Sequence, residues 1–318
     1  MYFINLPPDD RLIHDKIAQS RRSFVRAAGG RPEESEARGG RRKRAAGHAS
    51  VAQMDQDSEV FVFVLEDTEA GGVIGTSQIR ARQGGPGNPN WSLELVEKKF
   101  SSPTLGFGTT HTAARLHGDE SGPTEIGGLI LSPSHRGHRA RPGRFLSFVR
   151  FHFIGLFRQL FAERVLAEMM APVTHDGDNL FWDHVGRKFI PVKYAEADRF
   201  CQHNRSFISE LMPKEEIYLT LLPLEVQNQV GQVSRETIPA RRLLESLGFQ
   251  YRRFVDPFDG GPHLDAVTEQ IPLVRGTRRA VLARPVDEER CPHYGIVSTM
   301  NAEGEFRAVE TCYELDDD

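Results

Sequence analysis

The stretch EIGGLILSPSHRGHRARPGRFLSFVRFH, residues 125–152, carries the strongest fold signal in the chain, because three patterns follow one another within it. An apolar run of β-strand length leads into a loop rich in Gly, His and Arg, and then into an apolar stripe with helical spacing. A strand–loop–helix unit of this kind presents backbone N–H groups to an anion, as phosphate sites do. Loops of this composition are common, so the pattern alone leaves the ligand open.

The residues of this unit that we expect at a phosphate site have different tasks. Loop glycines let a phosphate approach the backbone, and loop arginines and the first-turn serine supply charge and hydrogen bonds. The predicted cofactor-binding residues of this unit are Leu131, Arg136, Gly137, Gly143, Arg144 and Ser147.

Outward from this unit, apolar periodicity predicts further strands and helices. Apolar runs at residues 60–65 and 73–79 predict an antiparallel hairpin whose first strand is buried on both faces. The other predicted extended segments are residues 93–100, 165–169 and 218–222, and the predicted helices are residues 9–25, 144–164, 195–212 and 240–247. The sequence therefore predicts an α/β (α+β) protein.

Two segments differ from the rest of the chain. Residues 28–50 contain no large apolar side chain, so they cannot bury enough surface to offset their ordering entropy and are predicted to form a disordered loop. Residues 273–318 predict a small β-rich extension that ends in an acidic tail. We therefore expect a main domain over residues 1–272 and an appendage after it.

Bulk composition excludes several classes of protein. The net charge of −4 over 318 residues gives no general attraction to nucleic acid or anionic lipid, and the basic block at residues 41–44 is more simply a solvated insertion. No apolar run is long enough to span a membrane, and the N-terminus does not follow the signal-peptide pattern. Three widely spaced cysteines predict neither a disulfide framework nor a zinc site. We expect a cytoplasmic, metal-free protein.

A second motif follows later in the chain: the helix at residues 240–247 ends in Gly248 and continues into an aromatic strand. In this order the two motifs resemble the GNAT acyltransferase superfamily. Between about Leu6 and Arg275, successive short blocks then resemble arginine N-succinyltransferases. The blocks are FVLED at 63–67, RFLS at 144–147, AEM at 167–169, FW at 181–182, FISELMPK at 207–214, GQV at 231–233 and FDGGP at 258–262.

The resemblance implies a GNAT-type fold with a mixed, mostly antiparallel twisted sheet flanked by helices. It also implies direct transfer of a succinyl group from succinyl-CoA to the α-amino group of L-arginine, the first step of arginine breakdown by succinyl transfer. No metal is required for that reaction, and related subunits assemble into homo- or hetero-oligomers. The family has a further strand before the block at Leu6, and this sequence starts at Met1, just before it.

For individual residues, the resemblance implies that Leu129 contacts succinyl-CoA and that Ser234 stands where the family has its proton-donor histidine. Serine is not an acid or base near neutral pH without an activating partner. His111 falls where the family also has a histidine, and His263 lies close to a family block, so each is a candidate base. Glu125 is a third candidate base, because a glutamate on the corresponding strand often has that role in GNAT enzymes; a solvated strand end is an equally good interpretation of it. The candidate partners of an arginine guanidinium are Glu168, Glu210, Asp256 and Asp259.

Departures from the family leave two alternatives open. The phosphate loop is slightly longer than the family's, and Arg141 replaces one of its glycines. Together with Ser234, this favours either a GNAT-like protein that acylates another amine or a non-catalytic subunit that binds an acyl-CoA.

Overall fold

The computed structural model describes residues 11–29, 59–69, 71–174, 177–201, 205–281, 284–285 and 291–315. The predicted disordered loop lies outside the described residues except for residues 28–29, which form a turn. The predicted acidic tail at residues 316–318 and the block at residues 6–7 also lie outside them.

The described strands run in chain order as β1 (Val60–Glu66), β2 (Val73–Arg80), β3 (Asn90–Ser102), β4 (Phe107–Asp119), β5 (Thr124–Leu131), β6 (Arg164–Glu168), β7 (Ile217–Tyr218), β8 (Gln250–Val255), β9 (Pro262–Val267), β10 (His293–Met300) and β11 (Phe306–Tyr313). The described helices are α1 (Arg11–Ala27), α2 (Pro142–Leu156), α3 (Arg187–Phe189), α4 (Tyr194–Cys201), α5 (Ser206–Leu211), α6 (Leu224–Gln229), α7 (Ile238–Ser246) and α8 (Pro272–Gly276). None of these helices combines the length and the apolar character needed to cross a membrane.

Nine strands form one sheet in the order β1-β2-β5-β6-β9-β8-β3-β4-β7, and β10 and β11 form a separate hairpin. Every pairing in the large sheet is antiparallel except that of β5 with β6. The predicted mixed, mostly antiparallel sheet and the small C-terminal β-structure are therefore confirmed.

The parallel pair β5–β6 separates soon after it forms. Only two positions pair, Thr124 with Val165 and Glu125 with Leu166. Beyond them β5 continues along β2, where the register shifts and Gly128 has a φ of +57°. A residue with a Cβ is strained in that conformation, so glycine permits the bulge that bends β5. The sheet consequently opens into a gap between the C-terminal halves of β5 and β6.

Two apolar clusters cover the sheet. The larger contains α2, α7 and the strands near β1, and it includes the fully buried Phe61, Phe151 and Phe153. The ring of Phe24 from α1 lies 5.2 Å from that of Phe61 and 5.3 Å from that of Phe153. The second cluster surrounds the buried Trp182 and joins β3, β4 and β8 to helices α4, α5 and α6. Helix α2 is thereby held next to β5, beside the gap.

The hairpin β10–β11 packs on the larger cluster. The ring of Phe306 lies 5.2 Å from that of Phe153, and His152 Nε2 is 2.7 Å from Ser298 Oγ. Arg144 Nη2, in the first turn of α2, donates to Glu310 Oε1 over 2.7 Å. The hairpin therefore covers α2, and its separation from residues 1–272 as a domain of its own stays a prediction.

Several predicted boundaries were wrong. The helix expected at 144–164 ends at Leu156, because the chain turns through a 3-10 segment at residues 158–160 while Phe157 and Phe161 stay buried and prolong the apolar stripe. The helix expected at 195–212 is two helices, since Arg205 has a non-helical backbone at the start of α5.

The predicted strands also need two corrections. Strand β1 is not buried on both faces, because it lies at the sheet edge and Val64 is 61% exposed. The extended segment expected at 218–222 is strand only at β7 and then becomes a 3-10 turn at residues 219–221.

Candidate active site

The loop between β5 and α2 presents free backbone donors. Gly137 has a φ of +75°, and Arg141 caps the helix in a left-handed conformation with a φ of 50°. Among the described residues, the N–H groups of Gly137, Arg139 and Gly143 have no hydrogen-bond acceptor. Pro142 occupies the first helical position, where an N–H would have no partner within the helix. The loop and helix end thus offer donors to an anion, as the sequence predicts.

Four arginines lie on or beside this loop, and two of them are paired with carboxylates. Arg136 Nη1 is 3.2 Å from Glu236 Oε2, and Arg144 is held by Glu310 of the hairpin. Arg139 and Arg141 are exposed, and neither has a carboxylate partner in the described part of the chain. These two side chains are therefore the available positive charges of the loop.

Ser147 points away from the loop surface. It is buried, and its Oγ accepts a hydrogen bond from Arg150 Nη2 over 2.7 Å. Arg150 also donates to the carbonyl oxygens of Ser147, over 3.2 Å, and of Gly127, over 3.5 Å. Burial lowers the pKa of Arg150 to about 9. The pair ties α2 to β5 at the bulge, so Ser147 supports the gap from behind and is not brought to the loop donors.

The predicted residues of β5 lie along one side of the gap. Leu129 and Leu131 are half-buried, and Leu129 packs against the larger apolar cluster. Glu125 is buried at the apex, where β5 and β6 still pair, and its Oε2 lies 3.5 Å from Arg80 Nε.

A polar cluster, buried at His263 and half-buried at its two carboxyl groups, lies at the end of β6. Glu168, the last residue of β6, pairs directly with His263 of β9, and Asp256 follows β8. His263 Nε2 is 3.9 Å from Glu168 Oε1, too far for a hydrogen bond, and it has no other hydrogen-bond partner among the described residues. One oxygen or nitrogen atom from each of these three side chains lies within 4.8 Å of the others. Such a set attracts a cation, whether an ammonium, a guanidinium or a metal ion.

The two carboxylates of this cluster are pushed in opposite directions. Burial, followed by the charge of Glu168, raises the pKa of Asp256 above its ordinary value. Burial also acts to raise the pKa of Glu168, but the charges of His263 and Arg205 and a hydrogen bond from Asn90 outweigh it, so that pKa is lowered. Glu168 therefore keeps its negative charge near neutral pH, and Asp256 is protonated more readily.

Asn90 and Arg205 complete the cluster. Asn90 Nδ2 donates to Glu168 Oε1 over 2.8 Å, and Arg205 Nη1 donates to Asn90 Oδ1 over 2.6 Å. Neither residue was predicted from the sequence, because no local motif surrounds them and only the packing of β3 and α5 against β6 brings them here.

A pocket extends from this cluster across one face of the sheet. Its charged groups are paired: Asp265 accepts hydrogen bonds from Arg252 over 2.8 Å and from Arg164 over 3.3 Å, and Arg164 also pairs with Asp119. The pocket is lined by Asn90, Ser92, His117, Asp119, Arg164, Leu166, Arg252, Phe254, His263 and Asp265. Eight of these ten side chains are polar, so we call it the polar pocket.

Two of the four acidic residues that were candidate partners of an arginine guanidinium lie close to each other. Glu168 and Asp256 share the cluster, whereas Asp259 accepts the N–H groups of Ala171, over 3.0 Å, and Gly261, over 2.7 Å. Asp259 therefore holds the loop that precedes β9. Glu210 is exposed on α5.

His111 lies elsewhere. It is half-buried on β4, with Nε2 3.1 Å from Thr109 Oγ1 and Nδ1 3.2 Å from Thr220 Oγ1. Asp119 in the pocket lies eight positions further along the same strand, a distance of about 27 Å at about 3.4 Å per residue. Within one chain the structure does not bring His111 to the cluster.

Ser234 lies next to the chain that leaves β6. Its N–H donates to the carbonyl oxygen of Met170 over 2.9 Å, and its Oγ is 2.6 Å from Thr237 Oγ1. On the opposite side, Met169 donates its N–H to Pro262, the neighbour of His263, over 3.1 Å. Ser234 and His263 therefore flank the same short segment.

Comparison with known proteins identifies the family. Residues 32–273 match the family described as arginine N-succinyltransferase beta subunit. The arginine N-succinyltransferase of Yersinia enterocolitica is 36% identical over 260 residues, which cover 81% of this chain and 74% of that protein. The arginine N-succinyltransferase of Escherichia coli O1:K1 / APEC is 32% identical over 276 residues, which cover 83% of this chain and 79% of that protein. The chain belongs to the arginine N-succinyltransferase family.

A solved structure described as arginine/ornithine succinyltransferase subunit AI from Pseudomonas aeruginosa has the same fold. The two superpose with a TM-score of 0.67 over 94% of this chain and 88% of the other, at 22% identity. At that identity the likeness establishes the fold alone. The arginine N-succinyltransferase family and its fold, both predicted from the sequence, are confirmed.

Proposed function

We propose that this chain transfers the succinyl group of succinyl-CoA to the α-amino group of L-arginine. The observation that carries the proposal is the gap between β5 and β6 in a member of the arginine N-succinyltransferase family. Anion donors follow the end of β5, at Gly137 and Gly143, and the polar cluster that attracts a cation lies at the end of β6, at Glu168. A cosubstrate rich in phosphate and a cationic acceptor can meet between them.

In this proposal the loop holds the phosphates of succinyl-CoA. The N–H groups of Gly137 and Gly143 donate to the pyrophosphate, and the exposed arginines Arg139 and Arg141 add charge. Leu129 lines the side of the gap along which the pantetheine arm would lie. The thioester of bound succinyl-CoA supplies the activated acyl group, and the protein holds that group next to the acceptor amine.

The acceptor enters from the polar pocket. Glu168 keeps its charge and attracts a cationic amine to the end of β6, next to the gap. Arg205 and Asn90 lie beside it and suit the carboxylate of an amino acid. The transfer is direct and needs no metal, so a chelator is expected to leave the rate unchanged.

The test is arginine-dependent release of free thiol from succinyl-CoA by the purified chain. L-Arginine is compared with L-ornithine and with agmatine, which lacks the carboxylate. Release with L-arginine but not with agmatine supports the proposal. A matched pair of variants checks the loop: Arg139→Ala with Arg141→Ala should raise the KM for succinyl-CoA and leave that for arginine unchanged, whereas Arg278→Ala, outside the loop, should change neither.

Ser234 favours a second candidate function, because the family's proton donor is missing at that position. The chain would then acylate another amine or act as a non-catalytic subunit beside an active relative. Thiol release with another amine but not with L-arginine would support the first form of this candidate, and binding of succinyl-CoA without release with any amine would support the second. Either result would refute transfer to L-arginine.

The proposal also includes an oligomeric state and a cellular location for the chain. The matching family is described as a beta subunit, and the solved structure is described as a subunit, which supports a homo- or hetero-oligomer. A cytoplasmic location fits the succinyl-CoA cosubstrate. Light scattering of the purified chain, alone and with its related subunit, would give the stoichiometry.

A further inference from the structure

His263 is the buried titratable group whose position calls for an explanation. The residue is only 6% exposed, and its Nε2 has no hydrogen-bond partner among the described residues. Leaving a buried polar atom without a partner costs about 1–3 kcal/mol, so such atoms in folded proteins usually have a use. Here the atom points toward Glu168 and Asp256 and lines the polar pocket.

His263 and Ser234 border the same segment of the chain. Ser234 binds the backbone of Met170 from one side, while the β9 strand that carries His263 pairs with Glu168 and Met169 from the other. An imidazole at His263 therefore reaches the segment that a histidine at position 234 would border. Serine cannot exchange a proton near neutral pH, and imidazole can.

We propose that His263 is the catalytic base of this chain, a role that rests on the proposed function. Its Nε2 takes one proton from the α-ammonium of the acceptor. The neutral amine then attacks the thioester carbon, so a C–N bond forms and the C–S bond breaks. The leaving thiolate takes the second proton of the attacking nitrogen and departs as free CoA, and the imidazolium returns its proton to solvent.

The groups that face His263 fit this role. Glu168 on β6 and Asp256 after β8 place carboxyl groups next to the ring, so the proton that Nε2 takes up lies beside negative charge. Arg205, joined to Glu168 through Asn90, offsets part of that negative charge.

The experiment compares His263→Gln with the wild-type chain across pH. Near pH 7 the amine is protonated and needs the base, so kcat/KM for L-arginine should fall by about 10²–10⁴-fold. Near pH 9.5 most of a free α-amino group is already neutral, so the deficit should shrink at least tenfold. A merely structural histidine would give a loss that is independent of pH, and that result would overturn the proposal.

Controls separate the possible failures. His293→Gln, on the exposed hairpin, should match the wild type at both pH values. Unchanged succinyl-CoA affinity and unfolding midpoint would show that His263→Gln is folded. An active wild type with a fully active His263→Gln variant would refute the base and leave the proposed function standing, whereas an inactive wild type would refute the proposed function itself. Activity that is lost with a chelator and restored by a divalent metal would overturn the proposal, because Nε2 would then be occupied.

Discussion

Acidification should destabilise the contact between α2 and the C-terminal hairpin, because His152 is held there, largely covered, as a neutral ring. Its Nε2 bonds Ser298 Oγ, and burial lowers its pKa from 6.5 to about 4. At a pH between those two values, His152 is protonated in the unfolded chain and neutral in the folded chain. The free energy of unfolding therefore falls as the pH falls. From these two pKa values, linkage gives a loss of about 2 kcal/mol between pH 7 and pH 5, and about 3 kcal/mol at most.

Denaturant unfolding at pH 7 and pH 5 measures this loss. Carboxylates elsewhere also titrate, so the quantity to compare is the difference between the wild type and His152→Gln, which keeps a polar side chain but does not titrate in this range. The wild type should lose about 2 kcal/mol more than the variant over that interval. Equal losses would refute the reasoning, since they would mean that His152 is charged or solvated in the folded chain.

Two further predictions concern the supports of the gap. Ser147→Ala removes an acceptor of the buried Arg150, so the free energy of unfolding should fall by about 1–3 kcal/mol while the KM for succinyl-CoA stays within about twofold. A change in that KM without a loss of stability would instead mean that Ser147 contacts succinyl-CoA directly. Gly261→Ala would place a Cβ 2.0 Å from the Met169 carbonyl oxygen and force β6 and β9 apart. Thermal unfolding should show a loss of about 3 kcal/mol or more, against little change for Gly276→Ala, where a Cβ meets nothing within 4 Å.

Elements with a strong local pattern were predicted well. The hairpin of β1 and β2, the strand β5 and the helix α7 each carry their apolar period, turn residues or terminal glycine within a short window. The loop glycines before α2 were predicted for the same reason, because a strand, a glycine-rich loop and a helix are contiguous. These features depend on neighbouring residues, which a sequence displays directly.

Strands β4 and β9 were not predicted. Strand β4 reads FGTTHTAARLHGD, with few large apolar residues, and it is a strand because it pairs with β3 along its whole length. Strand β9 begins at Pro262 and carries both His263 and Asp265, yet all but its last residue are buried between β6 and β8. Long-range pairing overrides local preference in both, and no short window contains that information.

The same limit explains the choice between His111 and His263 as base. In the sequence the two were equal candidates, because each is a histidine near a family block. The strand pairing separates them: His111 lies far along β4 from the pocket, whereas His263 faces Glu168 across one β-ladder. A residue can act as proton donor or acceptor only where it lies close to the reacting atoms. In a folded chain, a different strand can provide such a residue when the usual sequence position lacks it. The serine at position 234 is therefore compatible with proton transfer, because His263 supplies an imidazole next to the same segment of the chain.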